Sequence, residues 1–529
     1  MRWLRPLVRR RWCVLALPAL LSVVVAAGLM SISILPHPAF HDEFSYLLAG
    51  QTFASGRLTN PSHPHWEHFE TFQVLSQPTY MSKYPPAQGL ALAMGIWIDD
   101  TPIVGVWLMT AFACAAIGWA LLAVLPRRWA LLGGLLSAMH PLVLQWNNSY
   151  WGGSIALGAG ALLIGSAIRL NRGIDGRNAA IFAVAIAILA NARPYEGLVL
   201  TLLVGFPLLI SILRRPTQRT LLLRRALPVV AAILLLNFVW MGVYNHAVTG
   251  SVWRLPYVEY ESQYAITPPL VILPPPDEKS YRHPVMEVYY RQWEWPQYEK
   301  QNQLAELPGA FLEKAVAAMR QLIRGAGDWS DERVPAAVNL MRLGIAIPLL
   351  ALPWTLIRRR LVRRAMGLAM IFLAFSFLAL WFFPHYAAPI GIVLLAIHVM
   401  LLRELWAMGV AMRWVVRLVL ACHVIDAASA LVVIRDDLIN PRLVARVQLD
   451  TELRSDPHPW LVIMDRPGVP IAHLEWIFNG PDLLHNQVIY ARSMGVDRDA
   501  ALIRFARGQG RRIGRITTDG IIARWEELH

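Results

Sequence analysis

Long apolar runs alternate with short basic loops along this chain, and three longer polar segments interrupt the alternation. The apolar runs fall near residues 12–34, 103–125, 129–146, 152–168, 178–192, 197–213, 226–246, 336–356, 365–383, 387–402 and 414–434. Most are close to the roughly twenty residues that span a bilayer core. Stretches such as 226–243 and 365–383 show almost none of the 3.6-residue alternation with a charged outer face that marks a soluble helix. The pattern predicts an all-α polytopic membrane protein with about 11 transmembrane helices.

The polar segments cover residues 35–102, 247–335 and 435–529, and an eleven-span count places all three on one side of the membrane, outside. Within the first, Ala87–Ile98 is apolar but only about a dozen residues long, so it reads as an interfacial or re-entrant helix entered through Pro85-Pro86. The second is dense in aromatic residues, among them Trp253, Tyr257, Tyr260, Tyr264, Tyr289, Tyr290, Trp293 and Trp295, and reads either as a belt at the headgroups or as a lid in contact with substrate. Its later part, Ala305–Ile323, has helical spacing. The third changes composition: Trp460–Met464 and Arg512–Thr517 read as strands and Ala500–Arg507 as a helix, a small α/β domain. The expected organisation is a transmembrane domain over 1–434 and a C-terminal domain over 435–529.

Of the residues 56% are hydrophobic and 16% charged, with a formal net charge of +14. Such a charge raises the question of nucleic acid, and its location answers it. Arg2, Arg5 and Arg9–Arg11 precede the first run, and further arginines cluster at 127–128, 169–177, 214–225, 358–364 and 403–417. That is the positive-inside signature of cytoplasmic loops, so the partner is the lipid bilayer, with no nucleic acid. The expected location is the cell inner (plasma) membrane, multi-pass, with a cytoplasmic N-terminus and an extracytoplasmic C-terminus. The first run exceeds a signal-peptide core and reads as a retained anchor. Cys13, Cys114 and Cys422 all fall in apolar runs, so no disulfide framework or zinc cluster is indicated.

Chemistry concentrates in residues 41–86. Asp42 and Glu43 follow the first run where Phe44, Tyr46, Leu47 and Leu48 can seat a helix on the membrane surface. A carboxylate there is a possible general base, and partial desolvation is expected to raise its pKa. The same acids also suit an ordinary first helical turn. Lys83 is one of four lysines, with Lys279, Lys300 and Lys314, all expected outside, and Tyr84-Pro85-Pro86 fixes the backbone beside it. A rigid ammonium can grip a phosphate with a charge-assisted bond; interfacial lysines also snorkel without function.

In order and topology these residues resemble the GT-C superfamily of polyprenol-phosphate-sugar glycosyltransferases, which includes the protein O-mannosyltransferases and the lipid A aminoarabinose transferase. The acidic pair after the first span matches Asp42-Glu43. The Lys-Pro-Pro element that closes the same loop matches Lys83-Tyr84-Pro85-Pro86, with Tyr84 interposed. Looser support comes from Phe383-Pro384-His385-Tyr386. The resemblance implies that Asp42 activates the acceptor or orients a metal, with Glu43 as the alternative or supporting acid. It implies that Lys83 grips the donor phosphate and that Tyr84, His385 and Tyr386 line the cavity.

Four further groups qualify the picture. Arg193 and Glu196 interrupt an apolar stretch at an outer turn, either as a structural ion pair or with Arg193 on donor phosphate. Asp426 lies mid-span one turn after His423, a structural pair or a proton relay. His63, His65 and His68, with Glu67 and Glu70, have the residue types of a zinc or manganese site. His41 beside Asp42 makes a divalent metal at the acid pair a second metal expectation.

The leading functional expectation is an integral-membrane glycosyltransferase that moves a sugar, with inversion, from a polyprenyl-phosphate-linked donor to an extracytoplasmic acceptor such as a glycolipid, cell-envelope glycan or protein. The alternatives are a membrane transporter or lipid flippase, and a sensor or scaffold working through its tail. Repeated halves and a glycine-rich nucleotide fingerprint are not evident in the sequence.

Overall fold

A computed structural model of the 529-residue chain describes residues 10–324, 336–439, 441–465, 476–518 and 523–528. Arg2, Arg5 and Arg9, and residues 325–335 of the second polar segment, lie outside the described residues. The chain folds as two compact units: residues 1–35, 106–239 and 308–437 form one, and residues 36–105, 240–307 and 438–529 form the other.

The first unit is helical. Among the described residues eight helices of the chain are long and apolar enough to cross a membrane: Cys13–Met30, Pro102–Leu121, Gly153–Arg172, Pro194–Leu213, Pro216–Thr249, Val338–Arg358, Ala388–Ala407 and Val410–Leu438. Together with the apolar composition they make this a polytopic helical membrane protein. Three expected spans are shorter or broken. Residues 129–146 form two pieces, Arg127–Ala138 and Pro141–Trp146, because Pro141 has no N–H to continue the ladder and the His140 ring accepts the Leu142 N–H at 3.3 Å instead. Gly176–Ala192 and Arg360–Ser376 each hold 17 residues. Rising about 1.5 Å per residue, each reaches about 26 Å, short of a bilayer core of about 30 Å.

Small residues set the closest approaches in this unit. A Cβ on Gly160 would lie 2.0 Å from the Pro389 carbonyl oxygen, so only glycine lets the 384–390 segment lie directly on the helix Gly153–Arg172. The expected pairing of His423 with Asp426 does not occur. His423 Nε2 lies 3.1 Å from His398 Nε2, while Asp426 accepts from Arg342 Nε at 2.7 Å, with Arg342 also on Ser429 at 3.0 Å. One helical turn along a single helix aims two side chains in similar directions, and here each found a partner on a different neighbouring helix.

The second unit joins the first polar segment, the second as far as residue 307, and the tail. Helices His41–Ala54 and Pro86–Asp99 pack side by side, at a distance that glycine permits: a Cβ on Gly50 would lie 2.6 Å from Leu92 Cβ, and one on Gly89 2.7 Å from Ala49 Cβ. The second helix is the expected apolar dozen, and it leaves Met94, Trp97 and Ile98 exposed. Between the two helices runs a short antiparallel hairpin, β1 (Val74–Leu75) and β2 (Met81–Ser82), with Val74 opposite Ser82. The aromatic segment is core rather than belt: Tyr260, Tyr264, Tyr289 and Tyr290 are buried together with Phe72, while Trp253 is exposed. Three of these four hydroxyls have polar partners that offset their burial, Tyr264 on Glu70 at 2.9 Å and Tyr290 with Tyr260 at 3.0 Å.

The tail contributes a four-stranded sheet in the order β4-β3-β5-β6, where β3 is Trp460–Asp465, β4 Val488–Arg492, β5 Arg512–Thr518 and β6 Ala523–Leu528. β3 is parallel to β4 and β5, with helix Val496–Gly508 between the latter two, and β6 closes antiparallel. One sheet face shares a core with Leu48, Phe69, Val74 and Tyr80 of the first polar segment.

Candidate functional site

The helix His41–Ala54 places its acids by its own N-terminal chemistry. Glu43 turns back on the start of the helix, where its Oε2 accepts the backbone N–H groups of Ala39 at 2.9 Å and Phe40 at 3.3 Å. This capping box satisfies donors that a helix otherwise leaves open. Glu43 is buried and its carboxylate is committed to the backbone. Asp42, one residue earlier, points elsewhere: its Oδ2 lies 3.2 Å from His41 Nδ1 and its Oδ1 accepts from the Tyr84 hydroxyl. His41 is in turn packed on Phe72 and edge-on to Tyr289.

The electrostatics of Asp42 run opposite to the sequence expectation. Burial does push its pKa up, but His41, the Tyr84 hydroxyl and the Lys83 ammonium together outweigh burial and hold the carboxyl below the usual carboxylate range. Asp42 is an ionised hydrogen-bond acceptor at physiological pH, not a carboxyl with a raised pKa.

Lys83 follows β2 and is fixed through its backbone: its N–H donates to the Gln73 carbonyl at 3.1 Å, and Ser45 Oγ holds both that carbonyl, at 2.6 Å, and Ser82 Oγ, at 2.7 Å. Gln73 itself sits at φ 64°, and its N–H donates to Tyr260 Oη at 2.9 Å. The Lys83 side chain is 8% exposed. Its Nζ bonds Glu261 Oε1 at 2.7 Å and lies 4.6, 4.7 and 5.6 Å from the ring centres of Tyr260, Tyr257 and Tyr84. Such ring faces attract a desolvated cation.

Tyr84, which separates the lysine from the two prolines, joins the two halves. Its ring stacks on Tyr46 with centres 4.5 Å apart, its backbone N–H donates to Ser82 Oγ at 3.1 Å, its hydroxyl donates to Asp42, and its face is turned to Lys83. Asp42, Tyr84, Lys83 and Glu261 thus form one continuous polar chain, anion to phenol to cation to anion.

The other site residues belong to the helical unit. Arg193, between the helices Gly176–Ala192 and Pro194–Leu213, lays its guanidinium over the Tyr386 ring at 4.7 Å. His385 packs against Trp151 with ring centres 4.5 Å apart and edge-on to Tyr386 at 4.8 Å. Arg193, His385 and Tyr386 are therefore brought together. Glu196 is buried one turn into its helix.

The histidine-rich loop is structural. His63 Nδ1 accepts the His65 N–H at 3.0 Å while its ring packs on Phe69 and Phe505. Burial, with His65, Arg511 and His68 nearby, pushes its pKa down to about 4. His68 bonds the Arg492 carbonyl at 2.9 Å, and Glu70 takes Arg282 at 2.6 Å and Tyr264 at 2.9 Å. Among the described residues no three His, Cys, Asp or Glu side chains are arranged to hold a metal ion. At the acid pair His41 and Asp42 stand side by side, Nδ1 to Oδ2 at 3.2 Å.

Neither protein-family models nor curated protein sequences match this chain. Solved structures do. ArnT from Cupriavidus metallidurans bound to undecaprenyl phosphate matches with a TM-score of 0.53 at 12% identity, over 95% of this chain and 92% of that one. Archaeal oligosaccharyltransferase AglB from Archaeoglobus fulgidus, in complex with an inhibitory peptide and a dolichol-phosphate, matches with a TM-score of 0.52 at 11% identity, over 97% of this chain and 70% of that one. Both are GT-C superfamily members. The chain has the GT-C fold. At this identity the likeness is one of architecture, and the chemistry has to be argued from the side chains.

Within the GT-C fold of this chain, sequence reasoning missed Glu261 and the tyrosine cage. A signal for them existed: Tyr257, Tyr260 and Glu261 stand at i, i+3 and i+4 on the helix Pro256–Tyr264, a spacing that puts all three on one face.

Proposed function

We propose that the protein transfers a sugar from a polyprenyl-phosphate-linked donor to a hydroxyl or similar acceptor on the extracytoplasmic side of the inner membrane. The observation that carries this is the Asp42–Tyr84–Lys83 chain, a fixed anion and a fixed cation joined through one phenol. Its bearing on lipid-linked donors comes from the GT-C fold, whose neighbours bind undecaprenyl phosphate and dolichol-phosphate.

In this reading the acceptor oxygen bonds to the anomeric carbon from the face opposite the phosphate, the carbon–phosphate-oxygen bond breaks, and the configuration inverts. Lys83 stabilises the charge that develops on the departing phosphate. Asp42 orients the acceptor hydroxyl and withdraws its proton. Because Asp42 is a weak base, that proton ends on the departing lipid phosphate, whose second pKa is about 6. Glu43 is a positioning residue that fixes the helix start. In the helical unit, Arg193 stands over the Tyr386 ring with His385 beside it.

The test is steady-state kinetics in which the polyprenyl-phosphate sugar is varied at saturating acceptor, the donor being the carrier-linked sugar that accumulates in a deletion strain. Lys83→Ala should lower catalytic efficiency toward the donor by roughly 30- to 1000-fold, the effect of ~2–4 kcal/mol of lost charge-assisted contact. A change confined to acceptor affinity would remove Lys83 from the donor site.

A further inference from the structure

We propose that Glu261 is a built-in competitor of the lipid phosphate: the resting counter-ion of Lys83, displaced when the phosphate binds, and returning to help expel it after transfer. This rests on the reading of Lys83 as the donor-phosphate cation and adds to it a residue that sets phosphate affinity and release. Lys83 cannot stand alone where it is, because its side chain is only 8% exposed and its Nζ is surrounded by the rings of Tyr84, Tyr257 and Tyr260. An ammonium taken that far from water needs an anion at all times. Glu261 Oε1 at 2.7 Å supplies it.

The two partners are unequal in a useful way. Lys83 is anchored on both sides by backbone and serine hydrogen bonds, whereas the Glu261 side chain is 23% exposed and stands near the C-terminal end of the helix Pro256–Tyr264. Glu261 can swing to water; Lys83 has no such freedom. A phosphate arriving at the ammonium therefore exchanges with the carboxylate instead of adding to it, since two anions sharing one buried cation repel each other. The exchange selects for charge: a polyprenyl phosphate can displace Glu261, and the neutral polyprenol cannot. After transfer the donor's phosphodiester has become a phosphomonoester, which carries more negative charge once it loses the proton taken from the acceptor, with a second pKa of about 6, and then grips Lys83 more tightly. The free carboxylate of Glu261 then shortens its stay by competing for the same ammonium.

The experiment uses the full-length protein in lipid nanodiscs and measures binding of undecaprenyl monophosphate, with undecaprenol as the uncharged control. Glu261→Gln keeps the shape and a hydrogen-bond acceptor but removes the competing charge. It should tighten undecaprenyl monophosphate binding by about five- to thirty-fold, the effect of ~1–2 kcal/mol of lost ion pairing, and leave undecaprenol unchanged. In steady state its KM for the donor and its kcat should both fall, as release of the lipid phosphate becomes limiting. The double variant Lys83→Gln/Glu261→Gln should lose the gain, because nothing remains to compete for. Glu261→Asp, with its carboxylate drawn back by one methylene, should give an intermediate gain and guards against a folding defect in the glutamine variant. If Lys83→Ala loses phosphate binding while Glu261→Gln weakens it or leaves it as it was, Glu261 is a structural partner and the inference falls while the donor-site reading stands. If neither substitution changes phosphate binding, both fall.

Discussion

Removing one oxygen from Tyr84 tests whether the chain from Asp42 to Lys83 works as a unit. Tyr84→Phe keeps the stack on Tyr46, with centres 4.5 Å apart, and keeps a ring 5.6 Å from the Lys83 ammonium, but deletes the hydroxyl that donates to Asp42. A hydrogen bond to a charged group contributes about 1.5–3 kcal/mol. Asp42 is 19% exposed, so water can replace part of the lost bond and the net effect should be nearer ~1–2 kcal/mol. That corresponds to a loss of roughly 5- to 30-fold in kcat/KM. The hydroxyl also favours the ionised form of Asp42, whose pKa is held below the usual carboxylate range. For a group with a depressed folded pKa, the ionised form and the stability it brings are present above the unfolded pKa and lost as pH falls through the folded one. Removing one of the groups that depress it moves this acid limb upward, by about one pH unit for each 1.4 kcal/mol of the bond. The assay is donor consumption by the purified enzyme at about pH 7, with the acid limb read as the thermal unfolding midpoint from about pH 2 to 6, a window that reaches below the ordinary carboxylate range. A variant with parental kcat/KM and an unmoved acid limb would show that the Tyr84–Asp42 bond has no part in the working state.

Asp42→Asn should abolish transfer in a protein that still inserts and folds, since the amide keeps the shape but loses the charge, whereas Glu43→Ala should act mainly on stability. Removing the two backbone acceptor contacts of Glu43 should cost about 0.5–2 kcal/mol, read as a lower unfolding midpoint with activity retained at low temperature. Arg342→Ala leaves Asp426 buried without its guanidinium and should destabilise the protein by about 3–5 kcal/mol in detergent, while the apolar pair Arg342→Met/Asp426→Leu should recover most of it. If a single Arg342→Ala change left the unfolding midpoint unmoved, the pair would not be closing the helical unit. Reporters fused after residues 300 and 529 should read as extracytoplasmic and one after residue 220 as cytoplasmic; a cytoplasmic C-terminus would overturn the orientation taken from the arginine-rich loops.

The sequence by itself determined the solvent of each segment. Apolar runs of bilayer length and arginine-rich loops are local properties, and they yielded a helical membrane protein and the three polar segments, because transfer of a side chain from water to lipid is decided residue by residue. Of the four strands in the tail the sequence showed β3 and β5 but not β4 and β6. The acid pair and the lysine were also legible, since helix start and Tyr-Pro-Pro turn advertise themselves over a few residues. What tertiary structure decided was partnership. Asp42 and Glu43 are adjacent in sequence, yet a rotation of about 100° per residue sends one carboxylate to Tyr84 and the other back to the backbone of Ala39 and Phe40. The direction of the Asp42 pKa depended on His41, Tyr84 and Lys83 acting together against burial, a sum of opposing contributions that no spacing reveals. Lys83 is bonded to Glu261, 178 residues away, and Asp426 to Arg342, 84 residues away, because buried charges take whatever opposite charge the packing of separate helices brings within reach.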